Sequence, residues 1–335
     1  MKNKTIKIYD STLRDGAQTK GVSFSIDDKL RILDILMDIG VDYIEAGWPG
    51  ANPIDDELFK NLPAKFKSKV VAFGMMRKKN KSASNDPGLN AVLNSGVSTT
   101  CLVGKSWDFH VKSALRISNS ENLEMINDSI DYASTKLDEV MFDAEHFFDG
   151  YKSNPKYSLD VIKTAWNAGA KWIVLCDTNG GTLPYELSSI INDVKNIIPQ
   201  ENLGVHFHND TDNATYNSIE AVRLGVKQVQ GTFNGLGERC GNSNLVNVAA
   251  NLILKMNYEC KLKKKINKIT SASRLIDEIL NRQSSRNLPF VGSAAFAHKG
   301  GLHISAVEKN PKSYEHIDPI SVGNERLLVV SNQSG

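Results

Sequence analysis

Three scarcities narrow the reading of this 335-residue chain before any motif is considered. Its four cysteines, at 101, 176, 240 and 260, show no Cys-x-x-Cys spacing, which argues against both a disulfide framework and a structural zinc site. Reduced and mostly buried thiols are expected. Long apolar runs are missing as well: none approaches the ~18 residues that a membrane span needs, and Met1-Lys2-Asn3-Lys4-Thr5-Ile6-Lys7 carries no apolar signal core. A cytoplasmic location without a membrane partner is the default expectation. Nor is there a surplus of charge. Forty basic against thirty-eight acidic side chains give +2, so bulk charge does not point to nucleic acid as a partner.

What is present is the balance of a soluble globular protein, 41% hydrophobic and 23% charged, in a chain long enough for one large domain or two ordinary ones. A beat repeats along it: a short apolar strand, a loop rich in Gly, Asn, Asp or Pro, then an amphipathic helix. The spacing predicts strands at 6–9, 43–46, 70–74, 99–103, 139–143, 172–176, 204–207 and 228–232. Helices are predicted at 27–39, where Leu30, Leu33, Ile35, Leu36 and Ile39 form a wide stripe, and at 121–137, 159–168, 185–197 and 214–224. Gly40, Gly169 and Gly225 each close a helix before the next strand.

Eight strands alternating with helices over about 255 residues predict an α/β fold of the (β/α)8, or TIM, barrel type. A doubly wound open sheet competes on strand count alone. Asp15, Glu45, Glu145, Thr178, His208 and Asn234 all fall at or just after carboxyl ends of different strands, and only a barrel gathers six such tips. The catalytic barrel is therefore drawn over 1–258, with a connecting helical segment at 259–283. Within and beside that connector, Lys261, Lys263, Lys264, Lys265 and Lys268 read as a solvated surface rather than a phosphate patch. A helix is predicted around 273–282 with Leu275, Ile276, Ile279 and Leu280 on one face. Residues 284–335 mix Gly, Ser, Asn and Pro with three histidines and form an appended arm or subdomain, read as truncated before a further domain.

His206 and His208 are the most informative pair. Two apart on a strand, they project from one face, and imidazole is the commonest neutral metal ligand. Asp15, beyond the first strand, supplies the anionic third ligand of a facial site with open positions. Arg14 beside it offers fixed charge and forked donors for a carboxylate or a developing oxyanion, or else a salt bridge in the barrel mouth. Glu45 and Glu145 end apolar strands and suit general acid or base work, or equally the orientation of Arg14 or a histidine. The glycine-rich stretch 231–242 reads as a backbone cradle for an anion or as a tight turn, and Asn242 adds an oxygen donor near the metal. In the arm, His298 and Tyr314 are further titratable groups.

Five motifs in order, Leu13-Arg14-Asp15-Gly16-Ala17-Gln18, Glu45-Ala46-Gly47-Trp48-Pro49, Cys176-Asp177-Thr178-Asn179-Gly180-Gly181, His206-Phe207-His208-Asn209-Asp210 and Gly235-Leu236-Gly237-Glu238-Arg239-Cys240-Gly241-Asn242, resemble the metal-dependent acyl-CoA condensing enzymes. That group holds the 2-isopropylmalate, homocitrate and citramalate synthases, with 3-hydroxy-3-methylglutaryl-CoA lyase as a relative. Residues 48–53 and 295–303 look most like the bacterial citramalate synthase branch.

The resemblance implies a divalent ion (Mn, Zn, Mg or Co) on Asp15, His206 and His208, with Asn242 as an additional or supporting ligand. It implies acetyl-CoA as co-substrate and a short 2-oxo acid, pyruvate first, as acceptor, within isoleucine biosynthesis. Arg14, Gln18, Glu45 and Thr178 would bind substrate. Arg14, Glu145, His298 and Tyr314 would be catalytic, the last two reaching the site from the partner of a domain-swapped homodimer. It also implies that a carboxyl-terminal regulatory domain, absent here, would follow. Met75, Leu102 and Asp143 are expected in the substrate-pocket wall. Rival readings are 2-isopropylmalate or homocitrate synthesis, acyl-CoA cleavage, and a barrel that binds metal and oxo acid without turnover.

Overall fold

A computed structural model describes residues 4–329. Strands β1 (Lys7–Asp10), β2 (Tyr43–Gly47), β3 (Val70–Met75), β4 (Thr99–Lys105), β5 (Glu139–Glu145), β6 (Trp172–Asp177), β7 (Leu203–Phe207) and β8 (Gln228–Gly231) run parallel in sequence order. β8 pairs back onto β1, Lys7 opposite Gln228 through Asp10 opposite Gly231, and closes the barrel. That pairing excludes the open sheet.

Alternation along each strand feeds two separate cores. Ile8, Ile44, Ala72, Leu102, Phe142, Ile173, Val205 and Val229 point outward into the large cluster shared with the helices. Tyr9, Val71, Phe73, Cys101, Met141, Val174 and Cys176 fill the barrel interior. The interior is also polar, burying Glu45, Asp143, His206, Gln228 and Gln230. Each of these needs a hydrogen-bond partner, and that requirement shapes the site above them.

The helices form where the apolar stripes place them. Ile26–Ile39 starts with a capping box between Ser25 and Asp28, and ends at Gly40, whose φ of 88° suits glycine. The other expected helices appear as Asn119–Ser134, Pro155–Asn167, Leu187–Lys195 and Ala214–Arg223. Among the short helices that escaped the periodicity are Pro53–Lys60 and Pro87–Leu93. Each carries Pro in its first turn and is capped by a side chain, Asn52 and Asp86 respectively.

Beyond the barrel, the predicted helix at 273–282 runs instead over Ile269–Ile279. Its inner face is built from Ile269, Ala272, Ile276 and Ile279 with buried Ser273 and Asp277, while Leu275 is exposed. The lysine run is a paired surface: Lys265 and Lys268 both hold Asp38, and Lys261 lies near Asp42. The arm contains helix Gly301–Lys309 and a parallel pair, Ala297–His298 with Leu327–Leu328. It is tied down where Thr270 Oγ1 donates to Val322 O. The last six residues of the expected arm lie outside the described residues. All four cysteines are free, Cys101 and Cys176 buried and Cys240 exposed.

Candidate metal centre and active site

β7 delivers His206, and the residue just past its end delivers His208, on the same inward face. The turn after β1 delivers Asp15, held by its backbone N–H on Ser11 O at 2.9 Å. Asp15 Oδ2 lies 3.2 Å from His206 Nε2 and 3.9 Å from His208 Nε2. The three ligand atoms lie within 4.8 Å of one another, and all three residues are buried. Burial alone would raise the Asp15 carboxyl. Arg14 and the two histidines outweigh it and hold the group well below the usual carboxylate range. Burial, then the neighbouring His206, pushes His208 down to about 4.

Three buried polar atoms here have no protein partner: Asp15 Oδ1, His208 Nδ1 and Asn242 Oδ1. A buried acceptor without a donor is costly, and a cation beside Asp15 would satisfy its free oxygen. The donor set of one carboxylate and two imidazoles fits a divalent metal. Asn242 is placed by its own amide, which donates to Leu236 O at 2.9 Å, and by an isolated bridge between Asn242 and His208. The glycine stretch makes room for it. A Cβ on Gly237, where φ is 146°, would come 2.2 Å from Asn242 Nδ2. Of the two readings open for this segment, the tight turn is the one its packing supports.

Arg14 is immobilised on three sides. Its Nε and Nη2 donate to Glu45 Oε2 and Oε1 at 2.8 and 3.1 Å, and its guanidinium lies 3.9 Å above the Phe73 ring. Nη1 faces the remaining direction, 3.8 Å from Asp15 Oδ2. Glu45 also accepts from Tyr9 OH and Ser11 Oγ, and is fully buried. It does not reach the cavity wall, so the geometry departs from a substrate-binding Glu45: this carboxylate holds Arg14.

Arg14, Asp15, Gln18, Glu145, Thr178, His206 and His208 all line one cavity of about 260 Å³. Thr178 Oγ1 accepts from the His146 N–H at 2.9 Å, which leaves the hydroxyl hydrogen free to donate into the cavity. Glu145 is held by Lys105, Nζ to Oε2 at 2.5 Å. Arg239 ties three loops together, with two bonds to Asp210 and one to Thr178 O. A second cavity of about 410 Å³ adjoins the first, sharing Trp48, Met75, Val103, Lys105 and Glu145.

Other expected residues lie elsewhere. Asn234 exchanges bonds with Ser273 O and Oγ and faces the helix Ile269–Ile279. Leu102 points away from the interior, and Val103, one residue on, stands in the wall with Met75 and Asp143. His298 and Tyr314 lie on the arm, outside this cavity: His298 Nε2 is 3.2 Å from Glu315 Oε1, and Tyr314 stacks on His303 at 4.0 Å. Lys105, Gln230 and Arg239 were not anticipated. For Lys105 the signal existed, since it keeps the inward phase of Cys101 and Val103.

The closed barrel and the acid–histidine–histidine group at its carboxyl mouth together define a class, the (β/α)8 barrels with a buried cluster able to hold a metal ion. The HMGL-like family model matches residues 5–276, and the homocitrate synthase post-HMGL domain-like model matches 290–335. The chain belongs to the HMGL-like family. It is 49% identical over 332 residues to the (R)-citramalate synthase of Aquifex aeolicus, covering 98% of this chain and 63% of that protein. The 2-isopropylmalate synthase of Sulfurisphaera tokodaii is 33% identical, over 99% of this chain and 83% of that one. The fold matches the crystal structure of Pseudomonas aeruginosa hydroxymethylglutaryl-CoA lyase with a TM-score of 0.69 at 20% identity, over 84% and 95% of the two chains. The chain thus spans less than two thirds of the citramalate synthases it resembles. Among the described residues, no helix is long and apolar enough to cross a membrane.

Proposed function

We propose that this chain carries the catalytic site of a citramalate synthase, joining acetyl-CoA to pyruvate and hydrolysing the thioester to (R)-citramalate and CoA. The observation that carries this reading is the convergence of Asp15, His206 and His208 beside an Arg14 fixed over the same cavity. Citramalate synthases among the relatives are 43–49% identical, against 32–33% for the 2-isopropylmalate synthases, which favours pyruvate over 2-oxoisovalerate.

A divalent ion held by Asp15, His206 and His208, with Asn242 Oδ1 alongside, would supply Lewis-acid polarisation of the 2-oxo acid carbonyl. The chain's own groups do the rest. The Thr178 hydroxyl donates to the acid's carboxylate, and Gln18 lines the wall beside it. Arg14 Nη1 donates to oxygen that gains negative charge as the reaction proceeds. A base removes a methyl proton from acetyl-CoA, the methyl carbon bonds to C2 of pyruvate, and the former keto oxygen takes a proton. Water then adds to the thioester, and CoA leaves as the thiol. Glu145, oriented by Lys105, is the proton carrier within this chain. His298 and Tyr314 serve the site of a second copy in a domain-swapped homodimer.

The working division is barrel 1–258, connector 259–283 and arm 284–335, in a cytoplasmic enzyme of isoleucine biosynthesis. The test is thiol release from acetyl-CoA with a panel of 2-oxo acids, after chelation and re-addition of single metals. Pyruvate should be turned over fastest, and stripped protein should be silent. Faster turnover of 2-oxoisovalerate or 2-oxoglutarate reassigns the acceptor. Cleavage of 3-hydroxy-3-methylglutaryl-CoA without condensation replaces the reaction itself.

A further inference from the structure

We infer that Gln230 is a positioning residue that decides which ring nitrogen of His206 is offered to the metal; the inference rests on the metal-centre reading above. Gln230 is fully buried in the barrel interior, on β8 beside β7. Its Oε1 lies 3.0 Å from His206 Nδ1, and its Nε2 lies 3.1 Å from Asp143 Oδ1 and 3.5 Å from Gln228 Oε1.

The donor and acceptor inventory fixes the direction of this chain of bonds. A carboxylate oxygen and an amide carbonyl only accept, so the NH2 of Gln230 must be the end that faces Asp143 and Gln228. Gln228 is oriented in turn. Its Nε2 lies 3.7 Å from Met141 Sδ, a weak acceptor with no hydrogen to give, which leaves its oxygen for Gln230. The room for Gln228 comes from Gly204, where a Cβ would stand 3.1 Å from Gln228 Oε1. The carbonyl of Gln230 therefore faces His206 and can only accept. His206 must carry its hydrogen on Nδ1, and Nε2, the nitrogen 3.2 Å from Asp15, is the one presented to a shared ion. A flipped Gln230 would press its carbonyl oxygen against two acceptors and its NH2 against the ring, so the interior of the barrel enforces one ligating nitrogen.

The test compares wild-type chain, Gln230→Met and Gln230→Glu, each stripped with chelator and titrated calorimetrically with Zn2+. Far-UV circular dichroism and thermal melting serve as fold controls. Methionine fills the volume but offers His206 no oxygen. Glutamate restores an oxygen without the donor to Asp143. Gln230→Met should weaken zinc binding by about 10–100-fold, and in the 15N spectrum of its zinc-loaded form the Nδ1–H signal of His206, having lost its acceptor, should shift and exchange faster with solvent than in wild type. Gln230→Glu should keep that signal and bind more tightly than Gln230→Met. Methionine-variant binding within about threefold of wild type, with the ring signal unchanged, overturns the assignment. If the methionine variant does not fold, a glutamate variant lacking the Nδ1–H signal overturns it as well. Wild-type chain that takes up no divalent ion would instead remove the metal-centre reading itself.

Discussion

Removing the charge of Arg14 should destabilise the fold and abolish turnover, and only the first effect should be reversible by a second substitution. Glu45 is fully buried and accepts four bonds, two from Arg14 at 2.8 and 3.1 Å, one from Tyr9 at 3.2 Å and one from Ser11 at 3.0 Å. Arg14→Met leaves that carboxylate buried without its cation, a change that typically costs about 3–5 kcal/mol. The lost stacking on Phe73 adds up to ~1 kcal/mol. Adding Glu45→Leu removes the stranded charge, so about half of the loss should return. What remains is about 2–3 kcal/mol, because the Tyr9 and Ser11 hydroxyls lose their acceptor and the stacking on Phe73 stays lost.

Urea unfolding of the four members of this cycle, followed by tryptophan fluorescence and circular dichroism, gives the interaction energy directly. It should be at least ~2 kcal/mol. Thiol release should stay down by at least about 100-fold in the single and the double variant, since neither has a cation to meet developing negative charge. An interaction energy below ~1 kcal/mol would mean that Arg14 and Glu45 do not depend on each other, and the argument for a held guanidinium would fail.

Asn242→Leu removes a buried acceptor that has no protein donor, on a residue bridged to His208, and should weaken Mn2+ binding by roughly tenfold or more in a calorimetric titration; unchanged affinity would take Asn242 out of the site. Val103→Ala widens the wall, and the ratio of kcat/KM for 2-oxoisovalerate over pyruvate should rise by about 10-fold or more. A ratio that stays put would move the specificity wall elsewhere. Burial lifts the Asp10 carboxyl to about 7, so the folded chain keeps a proton that the unfolded chain has released from about pH 4 upward. Stability should therefore fall as pH rises through that window, by at most about 4 kcal/mol from this group. Asp10→Asn should flatten the wild-type difference between denaturant midpoints at about pH 4.5 and 7.5, and an identical difference in the variant would refute the assignment.

The barrel was legible because strands buried on both faces read as apolar runs and because their polar ends fall at regular intervals. The His206–His208 pair was legible because a period of two is unambiguous on a strand. Phase errors of one residue were not avoidable by composition: Leu102 and Val103 are both apolar, and only the register of β4 tells which one looks inward. The helices Pro53–Lys60 and Pro87–Leu93 are too short to show a period. Glu45 reads as a site acid from its place near a strand end, but its role depends on Arg14 folding back over it, a contact between the turn after β1 and strand β2. Gln230 carried no signal, because an amide in a buried strand reveals its partners only once β7 and β8 are side by side.

The closure of β8 on β1 has a consequence for how the protein is made. The acid of the metal group is synthesised near the start of the barrel and the imidazoles near its end, and Asp15 gains a fixed relation to His206 only when the last strand has joined the first. A nascent chain on the ribosome thus presents scattered ligands with no common focus. An ion held there would meet its ligands only in the closed barrel, and by binding the folded form alone it would add to the stability of that barrel.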